Sequence, residues 1–259
     1  MSPKVSRALQ SLLLLVAVLA VWEGVCRLFA ISPFIMPMPS AIAARFVQLI
    51  ATGEIWPHFI ATLTSIVTGL GLGVAAGLIC GSLIATIPVL DRLVYPYLVA
   101  LQTVPKIAIA PLFVLWFGYG LTSKIVITAL LCFFPILVSV IAGFRSVDFN
   151  QLEMMRAFGA TRIQILRRLR IPSALVLIFA GLEIASVLAV IGAVVGEFVG
   201  AQVGLGYLIT SLNFNLDVAG MFAVLVFLAF IGLSLHSFMR FARKRLVFWV
   251  RSEADDVLI

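Results

Sequence analysis

An all-α, polytopic membrane protein with about six transmembrane helices is the fold class this sequence predicts, at about 20 apolar residues per crossing. Three observations predict it. Of the 259 residues, 63% are hydrophobic and 11% charged, and the mean hydropathy is +1.21, which leaves too little polar surface for a water-exposed globule. Apolar stretches long enough to cross a bilayer recur along the whole chain. The basic residues behind the net charge of +7 fall in alternate connections between those stretches. Their charge therefore reports orientation in a membrane, and no nucleic-acid partner is expected.

Residues 1–8 carry Lys4 and Arg7, and an apolar run follows from Leu9 to Trp22. A signal peptide begins this way, but the run lacks a small-x-small exit, and Glu23 and Arg27 succeed it at i, i+4 spacing. A retained first span ending near Phe29 is expected. The stretch 32–57, with Pro33, Pro37, Pro39 and Gly53, reads as a loop with a short helix started by Ser40. The second span, His58 to Ile87, holds Gly69, Gly73, Gly77 and Gly81 at four-residue steps. Small residues so spaced form a groove in which another backbone packs closely. A helix of the same chain and a helix of a second copy both fit that groove.

Pro88 to Arg92 make a turn. Pro96, Pro105 and Pro111 then interrupt Leu93 to Gly118 and exclude one straight helix. An interfacial helix followed by a short or broken span is expected, with Lys106 snorkelling near the cytoplasmic end. Gly118 and Gly120 turn the chain into a span over Ile125 to Ala142, which contains Pro135. Ala174 to Gly200 is the next span, with Gly192, Gly196 and Gly200, and Val218 to Met239 the last. Arg240, Arg243, Lys244 and Arg245 close it ahead of an acidic tail. With both termini cytoplasmic, 14 of the 18 Lys and Arg lie inside, as the positive-inside rule requires.

One long polar interruption remains, 148–174. Asp148 with Gln151, and Thr161 with Gln164, follow the capping-box spacing, so two short helices are expected around Gly159. The first gathers Leu152, Met154, Met155 and Phe158; the second sets Ile163, Leu166 and Leu169 against Arg162, Arg167, Arg168 and Arg170. Pro172 is expected to stop the pattern. So structured a segment reads as a docking element, the alternative being arginines bound to lipid head groups.

No phosphate-binding G-x-x-x-x-G-K-[ST] run occurs, and no Ser/His/Asp set or metal-ligand spacing is visible. The chain is therefore expected to be no enzyme and to carry neither cofactor nor metal. Cys26, Cys80 and Cys132 lie apart in apolar runs and read as packing residues; His58 and His236 are isolated. Glu183 stands inside the fifth span, where a carboxylate faces a cavity or pairs with a cation. Two roles are open to it: lining a translocation path, or a structural pair with Lys106 or an arginine. Glu197 and Gln202 lie at the outer end of that span. Asn213, Asn215 and Asp217 either meet a solute or form a solvated loop.

The segment from Glu153 to Gly159, with Met154, Ala157 and Phe158, followed by Ile171 and Pro172, resembles the EAA loop of ATP-binding-cassette importer permeases. Met154 stands where that pattern has alanine, and Ile171 where leucine is frequent. PMPSAI, LQTVPKIAIAPLFVLWFGYG and VVGEFVGAQVGLGYLI are similar to segments of the sulfonate, nitrate and taurine branch. The last of these resembles the run that forms part of the family's central pathway and outer gate, which makes Glu197 and Gln202 further path candidates; Asn213, Asn215 and Asp217 beyond it would meet a delivered solute or the binding protein that carries it. GAVVGEFVGA and GLGYLI also resemble permeases for pyrimidine vitamin precursors. Where many of these carry a basic residue after Gly-Leu, this chain has Glu183. The resemblance implies one transmembrane permease domain over 1–259 with a type I importer permease fold. Its docking loop, 148–172, would seat cytoplasmic ABC ATPase subunits that supply the energy. It further implies a homodimer in the plasma membrane and an extracytoplasmic solute-binding protein. The rival class, a self-sufficient ion-coupled carrier or channel, would need ionisable relays, and Glu183 is the one clear candidate.

Overall fold

The structure, a computed structural model, describes residues 3–249, with side chains from Leu9 onward. Arg251, the acidic tail and the side chains of Lys4 and Arg7 lie outside the described residues. All regular elements described are helical: α1 Pro3–Leu28, α2 Pro39–Ala51, α3 Ile55–Thr86, α4 Pro88–Gln102, α5 Ala110–Phe117, α6 Leu121–Arg145, α7 Phe149–Ala157, α8 Arg162–Ile165, α9 Ile171–Gly200, α10 Leu205–Phe214 and α11 Val218–Leu246. Five of the described helices (α8 and α9 joined) are long and apolar enough to cross a membrane, or six if the bent pair formed by α4 and Lys106–Phe117 counts as one broken span.

The bundle is built around α6. Gly73, Gly77 and Gly81 of α3 meet Cys132, Ile136 and Val140 of α6, the same four-residue step on both helices. Backbones come so close that a Cβ at Gly73 would lie 2.6 Å from the Ala129 carbonyl. The glycine stripe is thus an intramolecular seam. On the other flank of α6, Gly192 and Gly196 of α9 sit against Thr128 and Lys124, and Cys132 Sγ donates to the Ala185 carbonyl. In lipid, where solvent exclusion adds little between helices, such contact is what holds them together. Helix α11 packs on α9, and Phe46 of α2 stacks on Phe227 of α11 with centroids 4.3 Å apart. Helix α1 is peripheral: Trp22 meets Phe222 edge-on, and Glu23, paired with Arg27, accepts from the Ser40 N–H and hydroxyl. That carboxylate caps α2, which starts at Pro39 and not at Ser40.

Three expectations change. Pro172 does not end a helix, because residues 162–200 form one continuous helix. A π turn over Leu166–Arg170 widens it just ahead of the proline, which relieves the clash with the carbonyl four residues back. The 148/151 pair is half a capping box: Asp148 accepts from the Asn150 and Gln151 N–H groups without a return bond, whereas the Thr161–Gln164 box closes in both directions. Lys106 is not at the cytoplasmic end. Asp91 pairs with Arg145 and Tyr95 lies under its guanidinium, so α4 starts at the inner end of α6. By Gln102 it has climbed to Phe134 and Pro135. A bend of 85° then leads into the short helix ending at Phe117, and Lys106 sits at that break.

Candidate coupling surface and membrane pathway

The 148–172 segment stands off the bundle. Asp148 caps the first turn of α7, and Gly159, at φ 73°, reverses the chain at its other end. The Ala160 N–H closes that end on the Met155 carbonyl at 3.0 Å. No residue of α7 is buried, and Met154 and Phe158 are 55% and 84% exposed. Glu153 pairs with Arg156 at 2.8 Å on the helix surface. Such an exposed pair adds little stability, so a competing partner can draw Glu153 away. Ala157 is exposed beside Phe158, whereas Ile171 and Pro172 belong to the root of α9. Met155, Phe158, Gln164 and Arg168 surround a hollow in the elbow between α7 and α8. Helix α7 is a short helix capped at both ends that leaves large apolar side chains in the open, the kind of surface that marks interaction sites.

The path candidates separate. Glu183 reaches Arg243 of α11 at 3.3 Å, with both side chains partly covered. The cation is an arginine, and the pair ties α9 to α11. Gln202 is exposed on the outer loop. Glu197 is 2% exposed and wholly engaged. Its carboxylate accepts from Thr62 Oγ1 at 2.8 Å and from the Gly206 N–H at 2.7 Å, while Thr62 Oγ1 accepts from the Leu205 N–H at 2.7 Å. Those N–H groups are the free first-turn donors of α10, capped here from α3 and α9. His58 Nδ1 lies 3.1 Å from both the N–H and the carbonyl of Gly204, accepting or donating with its tautomer. Lys124, 5% exposed, donates to the Val203 carbonyl at 2.9 Å. Gly204, at φ 143°, lies so close to the Glu197 carboxylate that a side chain would displace it. Asp217 caps α11 through the Gly220 N–H and pairs with Arg45 at 2.7 Å, whereas Asn213 and Asn215 are exposed.

A family described as the inner membrane component of binding-protein-dependent transport systems matches residues 73–248. The chain belongs to this family. It is similar to the formylaminopyrimidine transport permease protein of Halalkalibacterium halodurans, 40% identical over 88% of this chain and 90% of that one. The riboflavin transport system permease protein of Chloroflexus aurantiacus is 38% identical over 92% of this chain and 89% of its own. A putative aliphatic sulfonates transport permease protein of Bacillus subtilis is 32% identical over 94% and 88%. In fold, the chain resembles a methionine ABC transporter in inward-facing conformations, with a TM-score of 0.53 and 24% identity over 76% of this chain and 94% of that one.

The protein is thus a multi-pass membrane permease subunit of an ABC importer, and ATP hydrolysis belongs to a separate subunit. The ion-coupled carrier falls away, and Glu183, the residue that favoured it, is held in a pair. Sequence reading of the permease missed Thr62, His58, Lys124 and Arg243 as members of polar contacts. Lys124 was set just outside a span that was expected to start at Ile125; the helix starts at Leu121 and draws it inside, where a lysine needs a carbonyl or carboxylate in reach. Thr62 carried no signal, because threonine in a membrane helix ordinarily bonds its own backbone, as Thr64 does to Ile60.

Proposed function

We propose that two copies of this permease form a pathway for a small, flat heteroaromatic solute of the pyrimidine type, delivered by an extracytoplasmic binding protein. In this reading α7 seats in a cytoplasmic ATPase subunit. Glu153, Met154, Ala157, Phe158 and Gly159 make the contact, and the segment through Ile171 and Pro172 carries the movement into α9. The observation that carries the coupling role is α7 itself, doubly capped yet without a buried residue. Continuity of residues 162–200 supports transmission, because a push on α8 moves the whole of α9. The solute class follows the relatives of highest identity quoted above, whose names specify a formylaminopyrimidine and riboflavin. Alternating access then needs rigid movement of the helices around a site near the bilayer midplane.

The test is purification from native membranes in mild detergent, beside variants Gly159→Pro and Glu153→Arg. An ATPase and a binding protein should accompany the unaltered chain, and the ATPase should be lost from both variants. Reconstituted with those partners, the permease should take up labelled formylaminopyrimidine or riboflavin in preference to taurine. Retention of the ATPase by both variants would refute the coupling role; preference for taurine would refute the solute class.

A further inference from the structure

We propose that the groove beside the α4–α5 break is a solute-contact site of the pathway, in which Lys106 donates to an oxygen acceptor of the passing molecule. The inference rests on the importer reading above and names the residue that meets the solute. The groove encloses about 510 Å³ between Gln102, Lys106, Phe134, Ser139, Ile184 and Leu188, within the usual size of a small-molecule site.

Depth is the first observation. Pro135, in the groove wall, lies about 15 Å of helix from the inner end of α6 at Arg145 and about 21 Å from the outer end at Leu121. A lysine there is further from either end of α6 than its four-carbon stem reaches, so snorkelling past those ends does not explain it.

The second observation is charge. Lys106 Nζ donates to the Gln102 carbonyl at 3.0 Å and stands 4.5 Å from the Phe134 ring centroid. Among the described residues no carboxylate pairs with it. Other cations held between the helices differ: Arg45 has Asp217, Arg243 has Glu183, and Lys124 lies within the field of Glu197. An ammonium offers three donors, and one is used by Gln102. A cation kept at membrane depth without a counter-charge marks a path or a ligand.

The third is the backbone. The chain is unwound from Thr103 to Pro105, and irregular backbone at membrane depth is tolerated where it is buried in protein or lines a cavity. Ile184, in the far wall, is 56% exposed, so the groove is open on that side. A carbonyl of an oxo- or formyl-substituted heterocycle and a sulfonate oxygen present the same acceptor to Lys106. The experiment separates them.

Uptake of labelled formylaminopyrimidine and of labelled taurine is measured with the complete reconstituted importer carrying Lys106, Lys106→Met or Lys106→Arg. The amount of ATPase retained reports assembly. At sub-saturating solute, Lys106→Met should lower uptake of the transported probe by about 10- to 100-fold, the weight of one hydrogen bond to a charged donor. Lys106→Arg should restore most of it. Uptake that is unchanged, or that falls only in proportion to lost ATPase, overturns the proposal while leaving the importer reading intact. Failure of the unaltered complex to move either probe overturns the solute reading, and this one with it. If Lys106→Met does not assemble, Ile184→Cys decides, in a lysine-containing chain whose three native cysteines are replaced. Saturating solute should slow its alkylation, and an unchanged rate overturns the proposal.

Discussion

Replacing Gly73 by alanine tests whether the α3–α6 seam holds the bundle together. The new Cβ would lie 2.6 Å from the Ala129 carbonyl oxygen and 2.8 Å from Cys132 Cβ. Carbon atoms settle at about 3.5–4.0 Å, so the helices must part by about 1 Å there. Gly77 and Gly81 face the same limit, at 2.8 Å from Ile136 Cβ and 2.7 Å from Val140 Cβ. Overpacking of this kind costs about 1–3 kcal/mol, but alanine also returns about 1 kcal/mol as the better helix former. Gly71→Ala removes that ambiguity, because nothing lies within 4 Å of a Cβ at Gly71 on the same helix. The difference between the two variants isolates packing, and Gly73→Ala should be the less stable by about 1–3 kcal/mol. One parting of the helices relieves all these overlaps together. The Gly73→Ala, Gly77→Ala double variant should therefore cost less than the sum of its parts by about 0.5–3 kcal/mol. Alkylation of Cys132, which is buried against Ala185, reports unfolding in detergent once Cys26 and Cys80 are replaced. Equal stability of Gly71→Ala and Gly73→Ala would refute the seam. Loss of the dimer with unchanged monomer stability would assign the stripe to a second copy instead.

Thr62→Val should destabilise the permease by about 1–3 kcal/mol, because it strands the Leu205 N–H and one oxygen of Glu197; thermal unfolding and proteolysis between α9 and α10 both read this. Glu183→Gln and Arg243→Gln should each lower stability by about 1 kcal/mol or less, as a partly exposed pair does, and a double-mutant cycle in the melting assay should recover their coupling. A fall in uptake without that coupling would return Glu183 to the pathway. Gly159→Ala, forced to φ 73°, should cost about 1–2 kcal/mol locally. Amide exchange should quicken in α7 while the membrane helices stay protected, and ATPase binding should weaken; a uniform loss of protection would contradict the view of α7 as an independent docking element.

The membrane class and the helices long and apolar enough to cross follow from composition and apolar run length. These are local or summed properties, and lipid as solvent makes them decisive. The two short helices after Asp148 were legible for a similar reason, since caps such as Asp148 and Thr161 act within one turn of themselves. Tertiary structure alone decided which partner each distant group meets. The four-residue glycine step shows that a close neighbour exists, and only the assembled bundle names α6 as that neighbour. Glu183 needed a cation, but the candidates lay far along the chain, and the antiparallel run of α9 and α11 selected Arg243. Glu197 read as a path residue because its run resembles the pathway segment of importer permeases. The fold uses its carboxylate to cap α10, a helix start that lacks a local cap because Gly204 has no side chain to offer. Pro172 misled by the opposite route: its local rule is to end a helix, and the π turn over Leu166–Arg170 absorbs the clash. For Lys106, the sequence showed a charge beside three prolines, but its depth depended on the climb of α4 along α6 and the 85° bend that follows, which no local pattern encodes.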